Sequence, residues 1–322
     1  MPEQKSLNEL NIGEEFTAFL ITTKSEVKTT KNGKPFLSLE LRDKSTVMPA
    51  KVWSNFDEVI DKIKEGAIVK VAGIIEDYAG TLQIRVDKIR LANEKDNVSS
   101  EDFLPKSIRP LNEMIDEFNS VITSITNPYL NLLLKKIFSG ENFNKFCRTP
   151  AGKSWHHAYI NGLLEHTLEI IKICDLMAVL HPEINRDLLI SGALLHDFGK
   201  TEELSYENFF DYTDKGKLIG HIVLSAIEIE KNILQIEGFP EDLKNQLLHL
   251  VLSHQGKLEF ASPVEPKTLE AIVLYQADEL SAKTNAYKFA IEADKNRGNK
   301  WTRFLQLANT SLYIPDNFQG EE

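Results

Sequence analysis

Six side chains of types that commonly bind metal ions lie within or directly after apolar helical segments. They are His166, His196, Asp197, His221, His254 and Asp278. Segments such as "GLLEHTLEI" and "LLHDFGK" carry apolar residues at the spacing of a helix face that packs against its neighbours. Imidazole and carboxylate groups are costly to bury there unless they are paired or bind an ion. Each residue alone is typical of a hydrogen-bonded core position, but the six together predict a divalent-cation site between facing helices.

Helical periodicity continues from residue 109 towards the C-terminus and predicts the scaffold for this site. Apolar residues recur at three- and four-residue spacing in segments that run from "PLNEMIDEFNSVITSI" to "KWTRFLQLA". Residues 109–322 are therefore expected to form an all-α bundle. The preceding segment, 93–108, begins "NEKDNVSSEDFLPK". Because it is polar and contains a proline, we interpret it as an interdomain linker.

The first 92 residues alternate between apolar and polar side chains, which predicts five β-strands. The strand candidates are "FTAFLIT", "PFLSLEL", "VMPAKVW", "AIVKVAGIIEDY" and "TLQIRVDKIRL". A short helix over residues 55–64 is predicted between the third and fourth strands. This order of elements is that of an OB-fold, a small barrel that binds oligonucleotides. We therefore expect a five-stranded OB-fold barrel in residues 1–92, followed by the helical bundle.

Basic and aromatic side chains of the predicted barrel are candidates for contact with single-stranded nucleic acid. The candidates are Lys28, Lys31, Lys34, Phe36, Trp53 and Tyr78. The lysines surround an Asn-Gly turn in the first connection between strands, and we expect a flexible basic loop there. The aromatic rings would supply faces on which bases stack. In the alternative interpretation, the lysines are solvent-exposed loop residues without a ligand and the rings fill the barrel core.

The charge of the chain limits how a polyanion can be bound. The net charge is −11 at pH 7, but residues 1–95 carry 15 basic and 15 acidic residues, so the acidic excess lies in the later part. Nucleic acid must therefore be held by local basic groups or through bound cations. No apolar run reaches the ~18 residues of a membrane span, and the first residues lack signal-peptide features. We expect a cytoplasmic protein without a membrane partner.

The pattern H…HD…D, with two further histidines, resembles the HD-domain metal-dependent phosphohydrolases over roughly residues 145–308. The resemblance implies one metal ion bound by His166, His196, Asp197 and Asp278. It also implies a second ion, bridged to the first by Asp197 and bound by His221 and His254. Two such ions suit phosphoester hydrolysis, because together they lower the pKa of a bridging water and stabilise charge on the phosphoryl oxygens.

Lys200 and His157 extend the predicted site. Lys200 would contact the substrate phosphate or, alternatively, cap the C-terminal end of the preceding helix. His157, in "KSWHHAYINGLLEHT", would contact the phosphate or support the first metal ligand. His156 beside it is not included in the predicted site. The catalytic residues predicted from sequence are therefore Asp197, Lys200 and His157.

The predicted barrel followed by the helical bundle resembles one particular family of HD-domain proteins. The stretches "DFLPKS", "TPAGKSWHHAYINGLLEHT", "LLHDFGK", "LSHQGKLEFASPVEPKTLEA" and "ADELSAK" resemble the YhaM family of bacterial 3'-to-5' exoribonucleases. This resemblance covers nearly the whole chain. It implies a two-metal hydrolase that releases nucleoside 5'-monophosphates from single-stranded RNA, with single-stranded DNA as an alternative substrate. The implied ion is Mn²⁺, with Co²⁺, Fe²⁺ or Mg²⁺ as alternatives. Gln255 departs from the family, in which a second histidine often follows the residue matched by His254.

Two other functions fit the same elements. One is a nucleotide or cyclic-dinucleotide phosphohydrolase whose OB-fold domain is regulatory. The other is a non-catalytic nucleic-acid-binding factor with a structural metal, although binding alone needs no second metal position. The sequence does not predict an oligomeric state.

Overall fold

The computed structural model of the chain describes residues 4–30, 32–54, 56, 59–78, 80–207, 209–295 and 298–318. The chain divides into two compact units, residues 1–105 with 206–209 and residues 106–205 with 210–322. Each unit has its own hydrophobic core. The predicted fold class, an OB-fold barrel followed by a helical domain, is confirmed.

Five strands of the first unit form a closed barrel. They are β1 (Glu15–Thr29), β2 (Pro35–Arg42), β3 (Val47–Val52), β4 (Ile68–Tyr78) and β5 (Thr81–Leu91). Their order is β1-β2-β3-β5-β4, and β1 pairs with β4 to close the sheet. β3 and β5 are parallel, whereas the other neighbouring pairs are antiparallel. Side-chain alternation places the apolar residues inside, as in β4, where Val69, Val71 and Ile75 are fully buried.

The first connection is a strand hairpin, so the prediction of a flexible basic loop was wrong. β1 continues through Lys24 and Lys28, and its residues pair with β2 as far as Thr29. Pairing satisfies the backbone groups of this polar stretch, which explains why it is extended although most of its side chains are exposed. Only a short turn remains, with Gly33 at a φ of 79°, a conformation that favours glycine.

The helix predicted between β3 and β4 falls only partly within the described residues. Asn55, Asp57 and Glu58 lie outside them, and residues 59–64 form turns rather than an α-helix. Phe56 and Ile63 are buried in the barrel core. The apolar residues that suggested a helix face therefore pack into the barrel from an irregular segment.

Much of the segment interpreted as a linker lies within the first unit. It contains two short 3-10 helices, Glu94–Asp96 and Ser100–Phe103. The ring of Phe103 is fully buried against Phe19 and Ile21 of β1. Val98 packs against the same cluster, so apolar side chains hold this segment to the barrel.

The second unit is a helical bundle. Its helices are α1 (Leu111–Ser124), α2 (Pro128–Ile137), α3 (Gly140–Arg148), α4 (Gly162–Leu180), α5 (Arg186–Leu195), α6 (Lys200–Glu203), α7 (Asp214–Ile219), α8 (His221–Ile233), α9 (Glu241–Ser253) and α10 (Leu269–Asp294). α5 packs against α2, α4, α9 and α10, and every residue from Leu188 to Leu195 is buried. A helix buried on all sides is a core helix, so its C-terminal end reaches the interior of the unit. Among the described helices, none has the length and apolar character needed to cross a membrane.

Two parts of this unit differ from the predicted all-α bundle. β6 (Leu204–Ser205) and β7 (Asp211–Tyr212) form a short antiparallel pair. The C-terminal stretch "KWTRFLQLA" contains isolated bridges and a 3-10 helix, Gln306–Ala308, in place of the predicted α-helix. The backbone N–H and guanidinium of Arg303 donate to the carboxylate of Asp294 at the end of α10. These hydrogen bonds hold the chain in a non-helical path.

Candidate metal centre and nucleic-acid surface

Helices of the second unit bring the six predicted metal ligands to one place. His166 lies in the second turn of α4, and Asp278 lies in the middle of α10. His196 and Asp197 follow α5 directly, His254 follows α9, and His221 is the first residue of α8. All are buried except His221, which is partly buried. The ends of three helices thus meet side chains from the bodies of two others.

The carboxylate of Asp197 lies at the centre of the cluster. Its Oδ2 atom is 3.1 Å from Nε2 of His196 and 3.9 Å from Nε2 of His166. Its Oδ1 atom is 3.3 Å from Nε2 of His221 and 3.5 Å from Nε2 of His254. The two oxygens therefore face two different pairs of imidazole nitrogens. Each pair, together with Asp197, is a group of three side chains that could hold a metal ion.

Asp278 adds a second carboxylate beside His166. Its Oδ1 atom is 3.1 Å from Nε2 of His166. Burial alone would raise the pKa of Asp278, but the contact with His166 and the charge of the nearby imidazoles hold this pKa below its usual value. The side chain is therefore an anion at neutral pH, as cation binding requires.

Backbone hydrogen bonds set the tautomer of two of the histidines. Nδ1 of His196 is 2.7 Å from the carbonyl oxygen of Ala193, and Nδ1 of His254 is 2.7 Å from the carbonyl oxygen of Val251. A carbonyl oxygen only accepts hydrogen bonds. The proton in both rings is therefore on Nδ1, and the lone pair on Nε2 is left for a metal ion.

Side chains set the tautomer of the other two histidines. Nδ1 of His221 is 3.0 Å from Oε1 of Glu203. Nδ1 of His166 is 3.0 Å from Oγ of Ser281, whose hydroxyl donates to Oε2 of Glu169 at 2.6 Å. A carboxylate only accepts, and the Ser281 proton is already donated, so both rings also carry their proton on Nδ1. All four Nε2 atoms thus carry a lone pair, and those of His166, His196 and His221 make no hydrogen bond with any described residue.

The cluster contains buried polar atoms that make no hydrogen bond of acceptable geometry. They include Nε2 of His166, His196 and His221, and both carboxylate oxygens of Asp197. Several of these atoms lie at ion-pair distance from one another. Buried polar atoms without hydrogen bonds need an explanation such as a bound ion, and imidazole with carboxylate is a donor set of transition ions. The residues therefore fit a divalent metal centre.

The protonation states in the cluster also suit cation binding. Burial lowers the pKa of His166 to about 4, so its ring is neutral at pH 7. Burial alone would raise the pKa of Asp197, but Lys200 and His196 hold it well below its usual range. For His196, burial lowers the pKa and the charge of Asp197 raises it by more. His166 and Asp197 are thus in their metal-binding forms, and a cation competes with a proton at His196.

Lys200 contacts the central carboxylate. Its Nζ atom is 2.6 Å from Oδ2 of Asp197, and its side chain is 8% exposed. Lys200 is the first residue of α6. Its ammonium contacts the carboxylate of Asp197 and not the terminal carbonyl groups that a C-terminal helix cap would bind. An ammonium group has no lone pair and cannot be a metal ligand. Contact with a substrate phosphate stays a prediction.

His157 lies behind the cluster. It is fully buried, its backbone N–H donates to Oδ1 of Asn285 at 2.7 Å, and its Nε2 is 3.3 Å from Oε1 of Glu169. Glu169 accepts the hydrogen bond of Ser281, which in turn orients His166. Of the two predicted roles, the geometry favours support of a ligand over contact with substrate. A catalytic role for His157 stays a prediction.

Three residues not singled out from the sequence complete the centre. They are Glu169, Glu203 and Ser281. Glu169 is three residues after His166, and Ser281 is three residues after Asp278. Helical spacing therefore indicates that each shares a helix face with a predicted ligand. Nothing local connects Glu203 with His221, because their contact depends on the packing of α6 on α8.

Gln255 stands where the sequence departs from the resembled family. Its amide Nε2 is 3.3 Å from Nε2 of His254. The amide thus lies beside the second group of ligands. The assignment of its nitrogen and oxygen follows the hydrogen-bond network, and a flip would present an oxygen to the same position.

Three predicted nucleic-acid contacts of the barrel form one cluster. The ring centroids of Phe36 and Trp53 are 4.8 Å apart. Nζ of Lys51 is 4.3 Å from the ring centroid of Tyr78 and 5.8 Å from that of Trp53. Trp53 is 47% exposed and Tyr78 is 64% exposed, so these two rings do not fill the barrel core. Exposed aromatic faces beside a lysine are the elements of a single-strand binding surface.

The predicted lysine contacts, unlike the three aromatic rings, do not form one cluster. Lys28 is exposed, and its Nζ is 3.3 Å from Glu26, which offsets its charge. Lys34 is exposed next to the hairpin turn, whereas Lys31 lies outside the described residues. Lys51 was not singled out from the sequence. Lys51 is two residues before Trp53, so strand alternation continued one residue past β3 places both side chains on the same face. The sequence "VMPAKVW" therefore already indicated that Lys51 lies beside Trp53.

The fold and the site together define the class of protein: the chain combines a five-stranded OB-fold barrel with a helical domain that carries a candidate metal centre. Two family models match it. Residues 163–283 match the HD domain, and residues 21–92 match the tRNA anti-codon model, an OB-fold nucleic acid binding domain.

Solved structures with similarity to part of the chain include a domain of replication protein A, a PriB protein and a mitochondrial single-stranded DNA-binding protein. The second OB-fold domain of replication protein A from Methanococcus maripaludis is 22% identical, with 29% of this chain and 97% of that chain covered and a TM-score of 0.24. PriB from Ralstonia solanacearum is 14% identical, with 26% and 100% covered and a TM-score of 0.23. A mitochondrial single-stranded DNA-binding protein from S. cerevisiae is 14% identical, with 25% and 96% covered and a TM-score of 0.23.

Proposed function

We propose that the protein is a metal-dependent 3'-to-5' exonuclease that hydrolyses the phosphodiester bonds of single-stranded RNA and releases nucleoside 5'-monophosphates. Single-stranded DNA is an alternative substrate. The observation that carries the proposal is the environment of Asp197, whose two carboxylate oxygens each face a pair of imidazole Nε2 atoms. A carboxylate so placed is suited to join two cations, and paired cations serve phosphodiester hydrolysis.

The proposed ion-binding residues are the six side chains of the cluster. One position would use His166, His196, Asp197 and Asp278, and the other would use Asp197, His221 and His254. When bound, the ions would supply positive charge that activates water and stabilises the phosphoryl oxygens. Mn²⁺ is the proposed ion, with Co²⁺, Fe²⁺ or Mg²⁺ as alternatives. Four imidazole donors favour a transition ion over Mg²⁺, which prefers oxygen ligands.

Lys200 is proposed to contact the phosphate that undergoes hydrolysis. Its ammonium lies beside Asp197, so a phosphate held at the metal centre would be within reach of the same charge. Burial works against this charge, but Asp197 raises the pKa of Lys200 by more than burial lowers it. Lys200 thus remains a cation, and its attraction to phosphoryl oxygens is strengthened in a site that excludes water.

The barrel is proposed to hold the strand while successive nucleotides are removed. Phe36, Trp53 and Tyr78 would stack on bases, and Lys51 would contact the backbone between them, with Lys28 and Lys34 as further basic groups. Stacking tolerates any base, which suits an enzyme that removes nucleotides in sequence. Because residues 1–95 carry equal numbers of acidic and basic residues, binding would depend on this local surface.

The proposal is tested with 5'-labelled single-stranded RNA and Mn²⁺. The full chain should shorten the RNA stepwise from its 3' end and release nucleoside 5'-monophosphates, which chromatography identifies. Asp197→Asn keeps the shape of the side chain but removes its charge, and it should abolish the reaction. Glu202→Gln is the matched control, because Glu202 pairs with Lys145 and Lys215 away from the cluster. The same assay on DNA of equal sequence measures the preference for RNA.

Two other outcomes would assign a different function. Intact RNA, together with hydrolysis of mononucleotides or cyclic dinucleotides, would indicate a nucleotide phosphohydrolase whose barrel is regulatory. Tight RNA binding without hydrolysis by any of the four ions would indicate a binding factor with a structural metal. Internal cleavage of the labelled RNA would contradict the exonuclease direction while leaving the phosphodiesterase chemistry in place.

A further inference from the structure

We propose that His156 contacts the substrate phosphate directly, through a ring N–H group. The inference rests on the proposed phosphodiester substrate and adds a substrate-binding residue to Lys200 and the metal ligands. His156 lies in the segment 149–161 that joins α3 to α4. Its ring centroid is 4.9 Å from that of His166, so it borders the first group of ligands.

The ring nitrogens of His156 and of His157 are all buried without a hydrogen bond of acceptable geometry, but Nε2 of His157 is 3.3 Å from Oε1 of Glu169, whereas His156 has no such partner among the residues described. The side chain of His156 as a whole is partly buried, yet both Nδ1 and Nε2 are shielded from solvent. Neither nitrogen makes a hydrogen bond to any residue that the structure describes. An imidazole shielded in this way without a partner is costly. Such a group in a folded protein is most simply explained by a ligand that supplies the missing hydrogen bond.

The contrast with the four ligand histidines indicates which kind of ligand. In each of those rings a hydrogen bond fixes the proton on Nδ1 and leaves the lone pair on Nε2. His156 has no such partner, so it is not prepared as a metal ligand. A neutral imidazole always carries one N–H donor. Oxygens of a phosphate held at the metal centre would accept that hydrogen bond.

Backbone contacts of the neighbouring residue hold His156 in a fixed position. The N–H of His157 donates to Asn285 at 2.7 Å, and the carbonyl oxygen of His157 accepts from Ala151 at 3.1 Å. His157 has a φ of 42°. Gly162 packs so closely on this turn that a Cβ atom there would lie 2.0 Å from the His157 carbonyl oxygen. The buried His157 thus anchors the segment and presents the ring of His156, and a donor held in place before binding contributes most to catalysis.

The test uses three variants of the full chain. His156→Phe keeps an aromatic ring without an N–H group, His156→Gln restores a donor, and His181→Phe makes the same change at an exposed position. The measurements are Mn²⁺ content, thermal stability, hydrolysis of bis(p-nitrophenyl) phosphate, and affinity of the Mn²⁺-loaded protein for inorganic phosphate by calorimetry.

The expected result is specific to a phosphate contact. His156→Phe should lower kcat roughly 100-fold, as loss of one transition-state donor does, and should weaken phosphate binding about tenfold or more. Its Mn²⁺ content and melting temperature should equal those of the wild type, since a merely structural role would change them. His156→Gln should recover part of both losses, and His181→Phe should have no effect.

Two results would overturn the inference. Wild-type hydrolysis and phosphate affinity in His156→Phe would exclude the contact. Loss of Mn²⁺ from the same variant would make His156 a metal ligand. If the wild type hydrolyses neither the small diester nor RNA, the proposed function fails separately, and the comparison of phosphate affinities still decides the role of His156.

Discussion

Gly199 lies so close to His221 that a Cβ atom at residue 199 would be 2.2 Å from the His221 carbonyl oxygen. Gly199 has a φ of −60°, so glycine is needed for space rather than for a left-handed turn. Its backbone N–H also donates to the hydroxyl of Ser225 at 2.7 Å. Through this close approach, the turn that carries Asp197 packs against the first residues of α8. The position of His221 thus depends on a residue without a side chain.

Gly199→Ala should therefore displace His221 and empty the second metal position. The expected result is about half the wild-type Mn²⁺ content after dialysis, measured by elemental analysis. Gly192→Ala is the matched control, because its Cβ would lie 2.4 Å from a methyl group of Leu250, the movable end of a side chain. That variant should melt at a lower temperature and keep its metal. Full Mn²⁺ content in Gly199→Ala would contradict this account of the glycine.

Glu203→Gln should weaken ion binding at the second position. The carboxylate of Glu203 accepts the hydrogen bond from Nδ1 of His221 and so fixes the tautomer and orientation of the ring. Loss of such a supporting carboxylate typically costs roughly 10- to 100-fold in metal affinity. Glu202→Gln makes the same change one residue earlier, at a side chain that is 43% exposed. Calorimetric titration with Mn²⁺ should find the weaker site only in the first variant, and equal affinities in both would argue against the orienting role.

Removal of divalent ions should destabilise the second unit and leave the barrel unchanged. Both carboxylate oxygens of Asp197 and Nε2 of His166, His196 and His221 lack hydrogen bonds within the described part of the chain. An ion that binds only the folded state, at 100 times its Kd, raises the free energy of unfolding by about 2.7 kcal/mol. Scanning calorimetry before and after EDTA treatment, followed by stepwise addition of Mn²⁺, should move one transition. Transition temperatures that do not change on EDTA treatment or Mn²⁺ addition would count against a metal centre.

Trp53→Ala should weaken binding to single-stranded RNA. An exposed aromatic face that stacks on a base contributes about 1–3 kcal/mol, and Trp53 lies within the cluster of Phe36, Lys51 and Tyr78. The measurement is fluorescence anisotropy with labelled RNA, in an Asp197→Asn background to prevent cleavage. Trp301→Ala removes another exposed tryptophan, 59% exposed, and should bind like its parent. Equal losses from both tryptophans would show that the barrel cluster is not the specific surface.

The two cysteine thiols should be unreactive in the folded protein. Burial raises the pKa of Cys147 to about 12 and raises that of Cys174 as well. Because the folded-state pKa lies above the unfolded one, the unfolded chain ionises first as pH rises. The raised thiol pKa therefore contributes fully to the free energy of unfolding below about pH 8.5. This contribution is lost progressively as the pH rises above that value. A thiol reagent at pH 8 should detect no thiol in the native protein and both in guanidinium, whereas rapid native reaction would contradict their burial.

The clustering of these side chains could be predicted from the sequence because each polar residue lies within or beside an apolar helical segment. His166 and Asp278 are polar groups inside apolar helical segments, and the structure places their side chains 3.1 Å apart. The support of His221 by Glu203 could not be predicted, since it depends on tertiary packing between α6 and α8. Likewise, His156 and His157 are adjacent and identical in type. Tertiary packing distinguishes them, because His157 is fully buried with its Nε2 3.3 Å from Glu169, whereas His156 is only partly buried.

The fold shows the same division between pattern and packing. Alternation in the first 92 residues correctly indicated five strands, because the inward residues form the barrel core. It missed the extension of β1 through Lys24 and Lys28, where pairing with β2 decides the conformation of polar residues. Helical spacing in "KWTRFLQLA" was misleading, because the hydrogen bonds from Arg303 to Asp294 override the local pattern.

The claim that Asp197 joins two metal positions is tested most directly by electron paramagnetic resonance of the protein loaded with Mn²⁺. Two ions joined by one carboxylate should give a spin-coupled spectrum at two Mn²⁺ per chain. Asp197→Asn should lose this coupling, while Glu202→Gln should keep it. A spectrum of isolated Mn²⁺ at one ion per chain, unchanged on further addition of Mn²⁺, would contradict the two-metal centre.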